Sequence, residues 1–552
     1  MVISLIDGIL KKINIEFLSK FFRKLYLRKL MDSMRGYRVL KRTNRLPFLH
    51  SLRIQIDARK LTGISGKLNK SVFFASDYEP EVSIRQYLLV RLLLYKYVNL
   101  SLLSYFGKPK SKILLPFPKE WRDLVREQGV SIHEGLSKFF WGLEVALLWM
   151  KGIYEILSFT LNTLKSGFKS MESNDGATVF FEGISSKCLP RVGKDGKSYD
   201  IISWYLQWEN KNPNIRTIYH NVKGISDFEY QNIKVLYRKN LIAFGNSILI
   251  SIRLWLWFCK VFLSNLIDIV LGRWWNLVLI GESFYAYYLR IQKQAVLCND
   301  YMFQSDWTYR PLWTYEAEKK GSRVLFYFYS TNSEGIRTES GYKPVDYDWR
   351  SLTWSHYLVW DTHQAEFMRQ VIPEWQKTEI VGPIWLSNSD KEVPKISGKT
   401  ISVFDVQPMR YSIYHMLGAP YEYFIPDNAI RFVDDICSIG KELDFKIIWK
   451  RKREVGNHIH PRFENFLKRN ERKENVILLD PEVAAIRLIQ ETDICISMPF
   501  TSTALIGKHL NKPSCYYDAS GLVTQGDKGA HGIEIVSGPD DLRKWLLNQK
   551  RP

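Results

Sequence analysis

The sequence predicts a bilobed α/β protein, and three observations carry that prediction. From Thr178 onward, short β-branched and aromatic runs alternate with helical stretches, the pattern of parallel strands joined by crossover helices. The alternation occurs twice, on either side of a polar, Gly- and Pro-bearing stretch, "SNSDKEVPKISGK" (387–399), which reads as a linker. The chain has 552 residues, too many for one compact core, and 46% of them are apolar, enough to fill two.

Residues 1 to about 175 precede this texture and read as mainly helical, although "KILLPFP" could be a strand entering a domain. Residues 1–60 form a basic segment with fifteen Lys or Arg against four Asp or Glu, which supplies +11 of the net +21. "IDGILKKINIEFLSKFFRKLYLRKL" interleaves Ile, Leu and Phe with Lys and Arg at helical spacing, the pattern of an interfacial amphipathic helix on an anionic membrane surface. No apolar core with a small-residue cleavage site follows, so it is not read as a secretory signal. The charge brings no nucleic-acid recognition motif with it, and nucleic acid is not expected as a partner.

The first α/β half then runs through "TVFFEGIS", "IRTIYHNV", "AVLCND", "RVLFYFYS", "HYLVWD" and "TEIVGPIWL" as strands. It is interrupted at 241–281 by an apolar, Trp-rich insertion in which Arg253, Lys260, Asp268 and Arg273 recur every five to eight residues. No uncharged stretch there reaches the roughly 20 residues of a spanning helix. The insertion is therefore expected to lie on or dip into a membrane, with core helices of the first domain and a true span as the alternatives. The expected domains are 1–60, 61–390 and 391–552.

The second half gives strands "TISVFDV", "FKIIWK", "NVILLD", "DICISM", "PSCYYD" and "IEIV", with helices over 428–443, 461–469, 482–491 and 504–510. Two of its loops bear chemistry. "WKRKREVGNHIHPRF" leaves the second strand with Lys450, Lys452 and Arg453, and Pro461 opens the next helix, which makes His460 its N-cap. In "ISMPFTSTALIGKHL", Thr501, Ser502 and Thr503 stand between a buried strand and a helix, where hydroxyls and free N–H groups suit an anion such as phosphate. The alternative for this cluster is an ordinary helix cap. The two loops are expected to converge on one anion across neighbouring strand ends.

Carboxylates able to act as base or nucleophile are sought at strand ends of the first half. Glu182 and Asp300 follow apolar runs there, and Asp306 lies nearby; each also reads as a cap or loop ligand. The six cysteines show no CxxC pairing, and no zinc framework, Walker loop, HExxH or GxSxG occurs.

Taken together, "FDVQP", "WKRKR", "HP", "PFTSTALIGKHLNKPSCYYD" and "AHGIEIVSGPDDLRKWL" resemble the bacterial polysaccharide-biosynthesis proteins named for their PFTS motif, as does "YRPLWTYEAEKKGSRVLFYFYSTN" in the first half. The HP and Ser/Thr pairing is also similar to GT-B sialyl- and Kdo-transferases. That likeness implies two Rossmann-like domains facing a cleft and a metal-independent glycosyltransferase without cofactor. The implied reaction moves an acidic 3-deoxy-ulosonic sugar from a CMP-activated donor to a lipid-linked or growing glycan, at the cytoplasmic face of the inner membrane. A nucleotide-diphosphate-sugar transferase of the same fold and a non-catalytic membrane-bound assembly scaffold are the alternatives. Carried over, His460 contacts and protonates the CMP phosphate, and Ser502 with Thr501 or Thr503 binds its oxygens. Lys450, Lys452 and Arg453 meet the donor's phosphate or carboxylate. The sialyltransferase Asp-Gly signature is absent, so the base and the stereochemical course stay open.

Overall fold

The computed structural model describes residues 16–45, 94–108, 112–165, 176–191, 197–239, 248–293, 297–304, 309–331, 352–372, 376–386, 393–411, 423–451, 456–470 and 475–550, together with isolated positions between these. Among the described residues the first helices are α1 (Glu16–Arg42), α2 (Leu94–Gly107), α3 (Lys119–Glu127) and α4 (Glu134–Lys165). Helices α1 and α2 cross so closely that only glycine fits at the contact. A Cβ on Gly36 would lie 1.7 Å from the Leu103 carbonyl oxygen, and one on Gly107 would lie 2.0 Å from that of Asp32. The "KILLPFP" stretch forms no named strand; Ile113 makes a single parallel bridge to Ile132.

The first sheet is built from β1 (Ala177–Glu182), β2 (Ile215–His220), β3 (Phe228–Tyr230), β4 (Ile233–Tyr237), β5 (Asp300–Gln304), β6 (Arg323–Tyr327), β7 (His356–Val359) and β8 (Lys377–Ile380). Its order is β3-β4-β2-β1-β5-β6-β7-β8, and β3 alone runs antiparallel. Strand β1 is buried along its whole length, as expected of a central parallel strand covered on both faces. Helix α5 (Ile201–Gln207) follows β1, and α6 (Ile248–Val270), α7 (Trp274–Val278) and α8 (Ile280–Ile291) separate β4 from β5. Helices α9 (Trp313–Lys319) and α10 (Thr362–Arg369) complete the lobe.

The sequence did not announce the β3–β4 hairpin. Its turn residues are Gln231 and Asn232, both at positive φ (52° and 61°), the geometry of a type I′ turn without the usual Asn-Gly signature. The insertion is half core. Leu254, Trp257, Phe258 and Val261 of α6 are buried, and the Trp257 ring stacks on Tyr287 of α8 at 5.2 Å.

The second sheet comprises β9 (Thr400–Phe404), β10 (Lys446–Lys450), β11 (Val476–Leu479), β12 (Ile494–Ser497), β13 (Ser514–Asp518) and β14 (Glu534–Ser537). Between them run α11 (Pro426–Glu442), α12 (Pro461–Asn470), α13 (Ala485–Glu491) and α14 (Thr503–His509), with α15 (Pro539–Lys550) at the end. All pairs are parallel in the order β11-β10-β9-β12-β13-β14, the topology of a dinucleotide-binding sheet. The order reverses at β9, and a crevice opens beyond its carboxyl end. Strands β10 and β12 are therefore not neighbours, contrary to expectation: β9 lies between them.

Candidate active-site cleft

The carboxyl ends of the two sheets face each other across a cavity of about 1030 Å³. The second lobe contributes Asp405 after β9, Lys450 at the end of β10, residues 480–486 after β11 and residues 500–503 after β12. The first lobe contributes Lys187 after β1, residues 329–331 after β6 and Trp360 after β7.

The Pro499–Ser502 turn gains its shape from one unusual residue. Phe500 sits at φ 61°, in the left-handed region that a bulky side chain occupies at a cost of about 1–3 kcal/mol. Neighbouring bonds hold it there. The Thr501 hydroxyl donates to the Met498 carbonyl at 2.8 Å, and Tyr516 donates its phenol to the Thr501 carbonyl at 3.0 Å. The Phe500 ring meets Tyr516 edge-on at 5.9 Å.

Within the cluster the three hydroxyls differ. Thr503 is bonded to the buried Ser497 hydroxyl at 2.7 Å, and Thr501 is committed to Met498. Ser502 occupies the N-cap position of α14, yet its side chain makes no capping bond. The ordinary-cap alternative thus does not describe Ser502, which lines the cavity.

Lys450 is buried, and its ammonium donates to the Pro481 carbonyl at 3.0 Å. Burial pushes its pKa down to about 8, against the opposing pull of Asp405 and Asp480. Such an amine is still chiefly cationic at neutral pH, and an anion entering the cavity would stabilise that form further. Asp405 is itself buried on the cavity wall. Sequence reasoning passed over it, although a carboxylate directly after the apolar run "TISVF" is the signal that would have found it.

His460 caps α12 as expected: its Nδ1 accepts the Arg462 N–H at 3.3 Å, and Pro461 is the first helical residue. Its ring packs edge-on against Tyr411 at 5.3 Å. Burial, Arg462 and Arg410 all push its pKa below the ordinary value. The ring is not among the groups lining the cavity, but the residue is tied to the loop after β9, beyond the cavity-lining Asp405, since its N–H donates to Pro408 at 2.9 Å. The same strand receives the PFTS turn, the Met498 N–H donating to Phe404 at 2.9 Å. The loop after β9 is therefore the physical link between the two motifs.

The two named carboxylates part company. Glu182 is the last residue of β1, at the cleft-facing edge, and accepts a hydrogen bond from Asn221 Nδ2 at 2.9 Å. Asp300 is the first residue of β5, paired with Val179 near the start of β1, so it lies at the opposite edge of the sheet. There it accepts from Arg323 Nε at 2.8 Å and is buried. The expected strand "AVLCND" is displaced to residues 300–304, which turns Asp300 from a strand-end residue into a strand-start one. Lys452, Arg453 and Asp306 lie outside the described residues.

The lobes are joined on both sides of the cavity. Lys187 pairs with Glu482, and Tyr199 donates to Gln490 at 2.7 Å. Opposite them Asp361 meets His531, and Asp527 accepts from Tyr342 at 3.0 Å.

Two dinucleotide-type lobes with their carboxyl ends apposed around a nucleotide-sized cavity define a GT-B-like protein. The chain belongs to the family of polysaccharide biosynthesis PFTS motif proteins, whose model matches residues 257–546, just over half its length. Among solved structures it is similar to a variant of the wall teichoic acid polymerase TagF, with 11% identity and a TM-score of 0.38 over 74% of this chain and 89% of that one. It is also similar to the apo structure of OtsA, with 11% identity and a TM-score of 0.33 over 68% and 91%. A UDP-GlcNAc 2-epimerase from Methanocaldococcus jannaschii gives 11% identity and a TM-score of 0.33 over 68% and 91%. No curated protein matches the sequence.

Proposed function

We propose that this protein is a glycosyltransferase that moves an acidic sugar of the sialic, nonulosonic or Kdo type from a CMP-activated donor to a lipid-linked or growing glycan. Its place is the cytoplasmic face of the bacterial inner membrane, and it uses no metal. The observation that carries this reading is the wall shared by Lys450, Asp405 and the PFTS turn, in a family defined by polysaccharide biosynthesis. A cavity of about 1030 Å³ accommodates a nucleotide sugar.

In this reading the bond from the anomeric carbon to the phosphate oxygen breaks, and its electron pair leaves with CMP. Lys450 and the Ser502 hydroxyl meet the charge that develops on that phosphate, where preorganised donors in a water-poor site act most strongly. His460 gives the phosphate a proton, which requires its loop to swing inward when the donor binds and the bound anion to raise the ring's lowered pKa. The acceptor hydroxyl attacks the anomeric carbon and passes its proton to a carboxylate. Glu182, at the carboxyl end of β1 but not itself on the cavity wall, is the candidate for that base, whereas Asp300 is withdrawn by its ion pair at the far edge of the sheet.

A nucleotide panel tests the donor class. CMP is expected to raise the melting temperature, with UDP and GDP leaving it unchanged. A shift with UDP or GDP in place of CMP would reassign the protein to the nucleotide-diphosphate-sugar transferases. No shift with any nucleotide would favour a non-catalytic assembly subunit.

A further inference from the structure

Helix α4 carries an apolar stripe that the core does not use. Leu136, Phe139, Leu143, Leu147, Met150, Tyr154, Leu157 and Leu161 are all exposed, and they recur at intervals of three and four residues along one side of the helix. Phe139 is 64% exposed and Tyr154 70%. At 1.5 Å per residue the stripe runs for about 38 Å. An ordinary surface helix places polar residues on that side.

Helix α6 repeats the arrangement. Leu249, Ile252, Leu256, Leu263, Ile267 and Val270 face outward at the same heptad-like spacing, Leu249 being 71% exposed and Val270 85%. By length and composition α6 could cross a membrane, but its opposite side is committed to the protein. Trp257 and Phe258 are buried there, and buried Asp268 accepts from Asn276 of α7 at 2.9 Å. A spanning pose would pull those residues out of the core, so α6 lies flat.

The two stripes belong to one surface. Helix α4 packs on α7 and α8, and α6 packs on the same two helices. The pair touch through the stacked rings of Trp149 and Phe262, 6.0 Å apart. Their outer sides therefore face away from a common support.

Charge selects the occupant. Arg253 and Lys260 are exposed beside the α6 stripe, while Lys151 of α4 is exposed but paired with Glu155. The acids are spoken for: Glu134 is paired with Arg122 and Arg126, Glu155 with Lys151, and Glu144 and Asp268 are buried. A second copy would bring the same cations to the interface with no exposed acid on α6 to meet them.

We infer that α4 and α6 together form a monotopic seat on an anionic lipid surface, their aliphatic and aromatic stripes entering the headgroup boundary and their cations resting among lipid phosphates. The basic helix α1, with Arg35, Arg38, Lys41 and Arg42 exposed, adds attraction without supplying the apolar area. This seat rests on the membrane placement of the proposed function and is independent of its cleft chemistry.

The test uses the full chain and two kinds of vesicle, phosphatidylcholine alone and phosphatidylcholine with phosphatidylglycerol. The intact protein is expected to co-sediment with the anionic vesicles. Phe139→Ser with Met150→Ser and Tyr154→Ser on α4, or Leu249→Ser with Leu256→Ser and Leu263→Ser on α6, should each weaken binding at least about tenfold. Each variant should keep the melting temperature, since the replaced side chains are exposed. Arg253→Gln with Lys260→Gln should weaken the preference for the anionic vesicles. If the intact protein binds but the α4 variant binds equally, α1 alone is the anchor and the seat is overturned. If the intact protein binds neither vesicle, the membrane placement itself fails; a dimer in light scattering that the α4 variant splits would then assign the surface to a second copy.

Discussion

His531 of the second lobe places its Nδ1 2.7 Å from the Asp361 carboxylate of the first. Asp361 also caps α10 by accepting the Gln364 N–H at 2.8 Å, so one carboxylate anchors both a helix and the lobe contact. Burial raises its pKa, but the His531 bond and charge and the Gln364 N–H outweigh that, and the net shift is downward. A carboxyl depressed in the folded state stabilises above its unfolded pKa, and that contribution is lost as pH falls through the folded value. Asp361→Asn is therefore expected to cost about 1–3 kcal/mol at neutral pH and to flatten the acid limb of the stability curve. Chemical denaturation across a pH series measures both; an unchanged acid limb would show that the pair contributes nothing to holding the lobes together.

Lys450 should act in the opposite sense. Its folded pKa of about 8 lies below the ordinary 10.5, so between those values the unfolded chain binds more protons and this residue's contribution to stability rises with pH. Below pH 8 the buried cation costs on the order of a few kcal/mol. Lys450→Met should melt higher than the native protein at neutral pH, show a flatter profile above pH 8, and lose the shift on CMP addition. A lower melting temperature at neutral pH with the CMP shift intact would make the amine a structural tie to Pro481.

The hydroxyl cluster can be divided by function. Ser502→Ala should weaken nucleotide binding about tenfold while leaving the melting temperature nearly unchanged, because that hydroxyl caps nothing. Thr503→Val should do the reverse, stranding the buried Ser497 hydroxyl at a cost of about 1–3 kcal/mol. Calorimetric titration with CMP beside thermal melts separates the two; equal losses of affinity and stability in both variants would return the cluster to a purely structural role.

His460→Ala is expected to lower turnover by about two to three orders of magnitude, the loss of one acid at developing charge. Stability should fall by only about 1 kcal/mol, the usual worth of a cap. A steady-state assay with a CMP-sugar and a soluble acceptor decides it. Turnover near the native level in the folded variant would confine His460 to capping α12, with Lys450 as the group that meets the phosphate.

Much of this was legible before the structure. The second-lobe strands fall within the expected apolar runs, apart from β14, which continues one residue to Ser537, because parallel strands buried on both faces leave a run of Ile, Val and Phe. The His460-Pro461 cap was readable for a similar reason: it depends on contacts within a few residues. The polar stretch 387–399 falls between β8, which ends at Ile380, and β9, which starts at Thr400.

What only the tertiary structure decided was non-local. The displacement of β5 that removed Asp300 from the cleft came from pairing with β1, more than a hundred residues away, and from the Arg323 guanidinium. The hairpin at Gln231-Asn232 lacked the usual turn signature because Gln231, unlike Asn232, has no preference for the left-handed backbone that strand pairing imposes on it. The depressed Lys450 pKa and the burial of Asp405 depend on which loops close over the strand ends. The outward stripe of α4 looks in sequence like an ordinary core face. Periodicity fixes which residues share a side of a helix, and only packing against α7 and α8 determines which side meets the protein and which is left for something else.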